Sequence, residues 1–218
     1  MALVMYDLDG TLLDTAAEIT DAVNLTLQEF DHALVTIDDV RRWIGQGTGW
    51  LMETAWAATD GPKAVAWNEV MARFIHHYEV TAGTSSTAFP HVMDTLQKAR
   101  DYGVKQALVT NKERRFTDRV LQKHGLTDAF DLIICGDSLT VKKPHPDMIY
   151  HCLKTLDETA GESLFVGDSE TDISTAKAAG VMCWAVPYGY NHGRPIAESM
   201  PDRVVPDIRD VPNYFRHM

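Results

Sequence analysis

Acidic, basic and hydroxyl side chains recur in this chain where short apolar runs end. Asp7 and Asp9 follow the run at residues 3–6, and Thr110, Asn111 and Lys112 follow the one at 105–109. Lys142 and Lys143 sit in the loop after residues 132–135, and Asp168 and Asp172 follow residues 163–166. Taken together, these groups have the chemistry of phosphoryl transfer, which needs a nucleophile, charge neutralisation and an acid for the leaving oxygen. Hard carboxylate oxygens, Asp7 and Asp168 in particular, suit Mg²⁺. A lysine pairs as a point charge with both nucleophile and phosphate. A threonine hydroxyl and loop amides bond phosphate oxygens. Asp9, two residues beyond Asp7, is placed to protonate a leaving oxygen and then to activate water.

The apolar runs that carry these groups read as buried strands of a parallel sheet. A fifth run, 181–186, follows Gly180. Amphipathic patterns at 91–102, 113–124, 146–156 and 172–179 lie between them, three ending at a glycine, the usual stop just past a helix. Strand–helix alternation predicts a doubly wound α/β sheet, whose ligands bind outside the carboxyl ends of the strands. Residues 15–86 break the rhythm. Apolar residues recur there at helical spacing (Ile19, Val23, Leu27, Phe30; Val65, Val70, Phe74, Ile75), so an all-helical insertion is expected, with 81–90 as the return linker. The tail, about residues 187–218 with Pro206-Asp207-Ile208 near its end, suggests a last loop and an edge strand.

The 218 residues carry 20 Lys+Arg against 31 Asp+Glu, a formal charge of −11. That balance argues against nucleic acid and anionic membranes as partners, since both need a basic surface. No apolar run is long enough to cross a bilayer. The three cysteines, Cys135, Cys152 and Cys183, match no zinc or redox spacing and read as buried free thiols of a reducing compartment, which places the protein in the cytoplasm.

Asp7-Leu8-Asp9-Gly10-Thr11-Leu12 resembles the first motif of the haloacid dehalogenase superfamily. Val109-Thr110-Asn111 resembles the second, Lys143 in Lys142-Lys143-Pro144-His145-Pro146 the third, and Gly167-Asp168-Ser169-Glu170-Thr171-Asp172 the fourth. All four occur in the family's order. Within the superfamily the chain is most similar to the phosphoglycolate phosphatases, through residues 135–146 and 167–180. The resemblance implies a Rossmann-like core, residues 1–14 and 87–218, with a helical cap, residues 15–86, inserted after the first strand. It implies Asp7 as nucleophile and magnesium ligand, and Asp9 as general acid/base with its backbone carbonyl on the metal. Thr110 and Asn111 would hold the phosphoryl group, with Gly10 beside them. Lys143 would balance the charge of Asp7 and phosphate. Asp168 would be a direct metal ligand, and Asp172 would bind the metal or its waters. An acid at position 9 points to phosphatases and phosphomutases, because the superfamily's dehalogenases and phosphonate-cleaving members lack it and its ion pumps carry a lysine there.

The expected activity is Mg²⁺-dependent hydrolysis of a small phosphorylated metabolite, 2-phosphoglycolate by subfamily likeness, through an aspartyl-phosphate. The alternatives are a phosphosugar mutase of the β-phosphoglucomutase type and a non-catalytic phosphate-binding regulatory protein. The intact set of Asp7, Asp9, Lys143 and Asp168 speaks against the latter. Monomer and homodimer both stay open. Asp172 reads equally as a member of the ligand shell and as a helix-start residue favoured by the dipole, and the two roles are compatible. Gly45-Gln46-Gly47-Thr48-Gly49 is either a helix connection or a loop closing over substrate. Arg41 and Arg42 either reach a substrate carboxylate or form a solvated face, and His145 either lines the site or is a loop residue. Lys142 reads as a solvated neighbour of Lys143, His76-His77 as a surface pair, and Trp43, Trp50, Trp56 and Trp67 as core of the insertion.

Overall fold

A computed structural model describes residues 2–62 and 64–216. Its elements, in chain order, are β1 (Leu3–Tyr6), β2 (Leu13–Asp14), α1 (Ala16–Glu29), α2 (Ile37–Trp43), α3 (Thr48–Ala58), α4 (Trp67–Thr81) and β3 (Thr87–Ala88). The chain continues with α5 (Val92–Asp101), β4 (Lys105–Val109), α6 (Arg114–His124), β5 (Leu132–Ile134), α7 (Asp147–Leu156) and β6 (Ser163–Gly167). It ends with α8 (Glu170–Ala179), β7 (Met182–Ala185), β8 (Arg203–Val204) and α9 (Asp210–Phe215).

Six strands form one sheet in the order β5-β4-β1-β6-β7-β8, every pairing parallel. Successive strand residues point to opposite faces, and here both faces are apolar. Val4 and Tyr6 of β1 join Leu108, Leu164, Val166 and Trp184 in one core layer. Leu3 and Met5 join Ala107, Val109, Phe165 and Cys183 in the other. From β1 the chain builds outward to β4 and β5, then crosses back to β6 and beyond. The strand order therefore reverses at β1, and a crevice opens at that switch point.

The helices α1 to α4 form the expected insertion and carry a core of their own, with Ile19, Val23, Leu27, Met52, Val70 and Phe74 buried together. The fold is thus a Rossmann-like α/β core with a helical cap inserted after the first strand. Three details depart from the sequence reading. The return linker contains β3, which pairs antiparallel with β2 through Leu13↔Ala88 and Asp14↔Thr87, so entry to and exit from the insertion share one small ribbon. The edge strand is Arg203–Val204, ahead of Pro206. Proline has no N–H to give a ladder, and Ile208 is used for the core instead. Of the tryptophans, Trp43 and Trp56 pack on the insertion core, whereas Trp67 is exposed and touches Trp56 only edge-on. His76 is at the surface, and His77 is half-buried, 3.2 Å from Glu29.

Candidate active site

Asp7 is the first residue past β1, and its N–H donates to Val166 O, which fixes the β1–β6 junction. The Asp7 carboxylate is buried with Oδ1 2.8 Å from Lys143 Nζ. Lys143 is also buried, and its ammonium donates to Val109 O at 2.9 Å and to Asp172 Oδ1 at 2.7 Å. Two of its three N–H groups are thus used, and Lys143 turns its remaining charge to Asp7 as a close ion partner. Asp7, Asp168 and Asp172 each bring one oxygen to within 4.8 Å of the others.

Asp168 follows β6. Its Oδ1 accepts from Thr11 Oγ1 at 2.8 Å and its Oδ2 from Tyr190 N at 2.8 Å. Two glycines allow this packing. A Cβ on Gly10 would lie 2.4 Å from Asp168 Oδ2, and one on Gly189 would lie 2.2 Å from Asp168 Cβ. Gly10 also sits at φ +89°, a backbone conformation costly for any other residue. Its N–H is tied to Leu13 O, so it shapes the site through its missing side chain.

Asp172 takes the helix-start position. It is the N3 residue of a capping box with Ser169 that starts α8. Its Oδ2 accepts from Asp168 N, Ser169 N and Ser169 Oγ, while Oδ1 takes Lys143. Both oxygens are therefore engaged, and Asp172 stands behind Asp7 and Asp168, holding Lys143 and the start of α8 in place.

Asp7 and Asp172 share the Lys143 ammonium, and Asp168 stands beside them without a cation partner among the described residues. Burial pushes the Asp7 carboxyl up to about 7, with Lys143 opposing and Asp172 and Asp9 adding to the rise. Burial and the charges of Asp172 and Asp7 push Asp168 well above the usual carboxylate range. A cluster of hard oxygens with excess negative charge, which must otherwise take up protons, has the donor chemistry of a divalent-cation site. The residues present fit such an ion.

On the other side of Asp7 lies a small cavity of about 40 Å³, lined by Asp7, Asp9, Thr110, Asn111 and Lys112 from the core and by Ile19, Ile44, Gly45, Gly47, Thr48, Leu51 and Tyr78 from the insertion. That volume holds roughly three waters. The Gly45–Gly49 loop therefore lies over the site, and it is fastened there. Gly45 O accepts from Asn111 Nδ2 at 2.8 Å, Gln46 O from Lys142 Nζ at 2.6 Å, and Thr48 Oγ1 donates to Glu113 Oε1 at 2.7 Å. The Asn111 amide is fully engaged, since Nδ2 also donates to Lys143 O and Oδ1 accepts from Lys143 N. Only its backbone is left for a ligand. Thr110 is buried beside it, its hydroxyl accepting from Lys112 N at 3.2 Å. Asp9 Oδ1 accepts from Thr15 Oγ1 at 2.7 Å and from Lys112 Nζ at 3.0 Å.

Arg41 pairs with Asp14 and Asp38, and Arg42 with Asp39, all outside the cavity, so the solvated-face reading holds for both. Exposed His145 lines an open basin of about 970 Å³ together with Lys142, Lys143, Glu170 and His192, so it lies beside the site and outside the Asp7 cavity.

The model of the haloacid dehalogenase-like hydrolases matches residues 4–186. The chain belongs to that family. Among curated members, phosphoglycolate phosphatase 1 of Pseudomonas aeruginosa is 41% identical over 212 residues, which are 96% of this chain and 78% of the relative. The phosphoglycolate phosphatase of Aliivibrio fischeri is 38% identical over 95% of this chain and 93% of its own. A crystal structure described as a predicted phosphoglycolate phosphatase from Haemophilus somnus superposes on this haloacid dehalogenase-like chain with a TM-score of 0.89. It covers 98% of this chain and 97% of its own at 28% identity.

Several residues of this family member's site carry no signal in the four motifs. Thr11 lies inside the first motif, but its bond to Asp168 spans 157 positions. Tyr190 and Gly189 lie in the loop after β7. The strand-end rule that found the other groups points to this loop too, because β7 belongs to the same sheet. Lys112 was visible as a strand-end residue. Its partners Tyr78 and Glu18 sit in the insertion, and nothing local marks them.

Proposed function

We propose that the chain is a phosphatase that hydrolyses a small phosphate monoester, 2-phosphoglycolate by likeness to its relatives, through a phosphorylated Asp7. The observation that carries this reading is the convergence of Asp7, Lys143 and Asp168 on the switch point of the sheet, against a small cavity that Asp9 also lines. Residues 15–86 act as the cap and residues 1–14 and 87–218 as the catalytic core. A divalent cation, in this reading Mg²⁺ held by Asp7, Asp168 and the Asp9 backbone carbonyl, would offset the charge of the carboxylates and of the phosphate oxygens. Asp7 attacks phosphorus as the ester P–O bond breaks, and Asp9 gives its proton to the leaving oxygen. Asp9, now a carboxylate, then takes a proton from the water that attacks the Asp7 phosphoryl group, releasing inorganic phosphate and restoring Asp7. Lys143 pairs with the Asp7 carboxylate and with the transferring phosphoryl charge. The Thr110 hydroxyl and the backbone around Asn111 hold the phosphoryl oxygens, while the engaged Asn111 side chain locks the lysine loop and the cap loop together.

The size of the cavity favours a small ester over a phosphosugar. A space of about 40 Å³ under a ceiling of Ile19, Ile44, Leu51 and Tyr78 must widen for any phosphate ester, and by less for a two-carbon acid than for a hexose. A shut cap also excludes bulk water during the first transfer.

The test is phosphate release from 2-phosphoglycolate, hexose phosphates and nucleoside monophosphates, with Mg²⁺ and with excess chelator. Magnesium-dependent release with the highest kcat/KM on 2-phosphoglycolate is the expected result. Release from another ester removes the substrate and keeps the mechanism. Dependence on a sugar bisphosphate activator, with no free phosphate, establishes the mutase instead.

A further inference from the structure

Among the described residues, Lys112 is the one buried cation of the site with no part in the chemistry above. Its side chain is 2% exposed, too enclosed to serve as a surface charge. Its Nζ donates to Asp9 Oδ1 at 3.0 Å and to the hydroxyl of Tyr78, and it lies 4.8 Å from the centre of the Tyr78 ring. Thr15 Oγ1 donates to the same Asp9 oxygen. Oδ1 therefore carries two donors, while Oδ2 has no hydrogen bond among the described residues. Rotation about the Asp9 side chain would break two bonds, one of them charge-assisted. The carboxyl is thereby held with one particular oxygen free.

The second half of the observation is where the holders come from. Tyr78 is on α4, stacked on Phe116 of α6 with ring centres 4.2 Å apart. Thr15 stands at the head of α1, its N–H donating to Tyr190 Oη at 2.9 Å. Glu18, also of α1, is fully buried; burial raises its carboxyl and the Lys112 charge opposes that rise. Glu18 Oε2 accepts from Gly83 N at 2.8 Å and Ser86 N at 3.2 Å, which are in the segment by which the chain leaves the insertion. Lys112 itself is rooted in the core beside Thr110, at the end of β4. It thus joins Asp9 to both connections between insertion and core.

We propose that Lys112 is a positioning residue for Asp9. It fixes Oδ1 so that Oδ2 faces the substrate's leaving oxygen, and it does so only while α1 and α4 are seated on the core. On this view the acid is assembled by cap closure. With α4 withdrawn, Lys112 loses Tyr78, and Asp9 is free to turn. In the first half-reaction the proton moves from Asp9 Oδ2 to the leaving oxygen as the P–O bond breaks. Lys112 then balances the carboxylate left behind until the attacking water returns a proton to it. No other species is consumed.

The inference rests on the reading of Asp9 as the acid, and the test separates the two. Rates are measured on 2-phosphoglycolate, whose alkoxide leaving group needs a proton, and on p-nitrophenyl phosphate, whose phenolate does not. Loss of a positioned general acid costs about 10²- to 10⁴-fold on the first kind of ester. For Lys112→Met we expect kcat on 2-phosphoglycolate to fall by about that factor, and on p-nitrophenyl phosphate by less than about tenfold. Tyr78→Phe leaves the ammonium in place and should show the same selectivity in smaller measure, which covers the case in which Lys112→Met does not fold. Asp9→Asn is run alongside. If Asp9→Asn is selective and both other variants slow the two esters equally, Lys112 is only structural and the inference falls. A rise in KM for 2-phosphoglycolate with kcat unchanged would make Lys112 a carboxylate-binding group and overturn it as well. If Asp9→Asn shows no selectivity, the fault lies with the acid assignment.

Discussion

Replacing Lys143 by methionine keeps most of the side-chain volume and removes the only ammonium shared by Asp7 and Asp172, at 2.8 and 2.7 Å. Breaking a buried ion pair by deleting one partner costs about 3–5 kcal/mol, because the remaining charge is left uncompensated. At roughly 2–4 °C per kcal/mol for a chain of this size, the melting temperature should drop by about 6–20 °C. The cost depends on pH, and its sign follows from the site. In the metal-free protein burial raises the Asp7 carboxyl from 3.8 to about 7, against the pull of Lys143. A carboxyl raised on folding contributes stability in full below its unfolded value and loses it as pH rises through the folded value. Without Lys143 the carboxyl rises further, so its proton persists to higher pH, but the ionised state is worse. The deficit of the variant should therefore be larger near pH 8 than near pH 5. Mg²⁺ should recover part of it at pH 8, because the cation supplies the missing positive charge. The assay is thermal unfolding by circular dichroism at both pH values, with chelator and with Mg²⁺. An equal deficit at both pH values would refute the electrostatic account and leave only lost packing. No deficit at pH 8 would refute the pairing itself.

Asp7→Asn should remove phosphate release while leaving the melting curve cooperative, and the wild type quenched in acid during turnover should carry a phosphoryl adduct on Asp7 by peptide mass spectrometry. Gly189→Ala puts a methyl 2.2 Å from Asp168 Cβ, and calorimetric titration should show Mg²⁺ affinity falling by about 10- to 100-fold, the usual cost of disturbing a ligand's support. Asn111→Ala removes three hydrogen bonds to Gly45 and Lys143 and should cost about 2–4 kcal/mol in urea unfolding, together with a loss of kcat. In the wild type, Mg²⁺ should raise the melting temperature more at pH 8 than at pH 5, because below about 7 the ion competes with protons for Asp7.

Strands β1, β4 and β6 were legible because each is a largely apolar run buried on both faces and ended by a polar residue with chemistry to do, whereas the two-residue edge strand β8, with Arg203 exposed, was not. Residues 3–6 and 105–109 became β1 and β4 almost without adjustment. The ribbon of β2 and β3 was not legible, since two residues per strand carry no periodicity. The same division runs through the site. Asp7, Lys143 and Asp168 announce themselves by type and by position at strand ends. Thr11, Gly189, Tyr190 and Glu18 act through contacts with residues far along the chain, and only the folded geometry pairs them. Asn111 was legible as a site residue but its task was not. A phosphate ligand and an interlocking amide look alike until the partners Gly45 and Lys143 are seen.

The pairing of Asp14 with Thr87 puts the two ends of the helical insertion side by side on neighbouring strands. A short turn could close that gap without moving any strand of the large sheet. The scaffold can therefore exchange its lid as a cassette. Helices could be lengthened, replaced or deleted between those two residues while Asp7, Lys143 and Asp168 keep their places. New substrate preferences would then arise by recombination at one seam, where insertions are best tolerated, and the hydrolytic machinery would not have to be rebuilt each time.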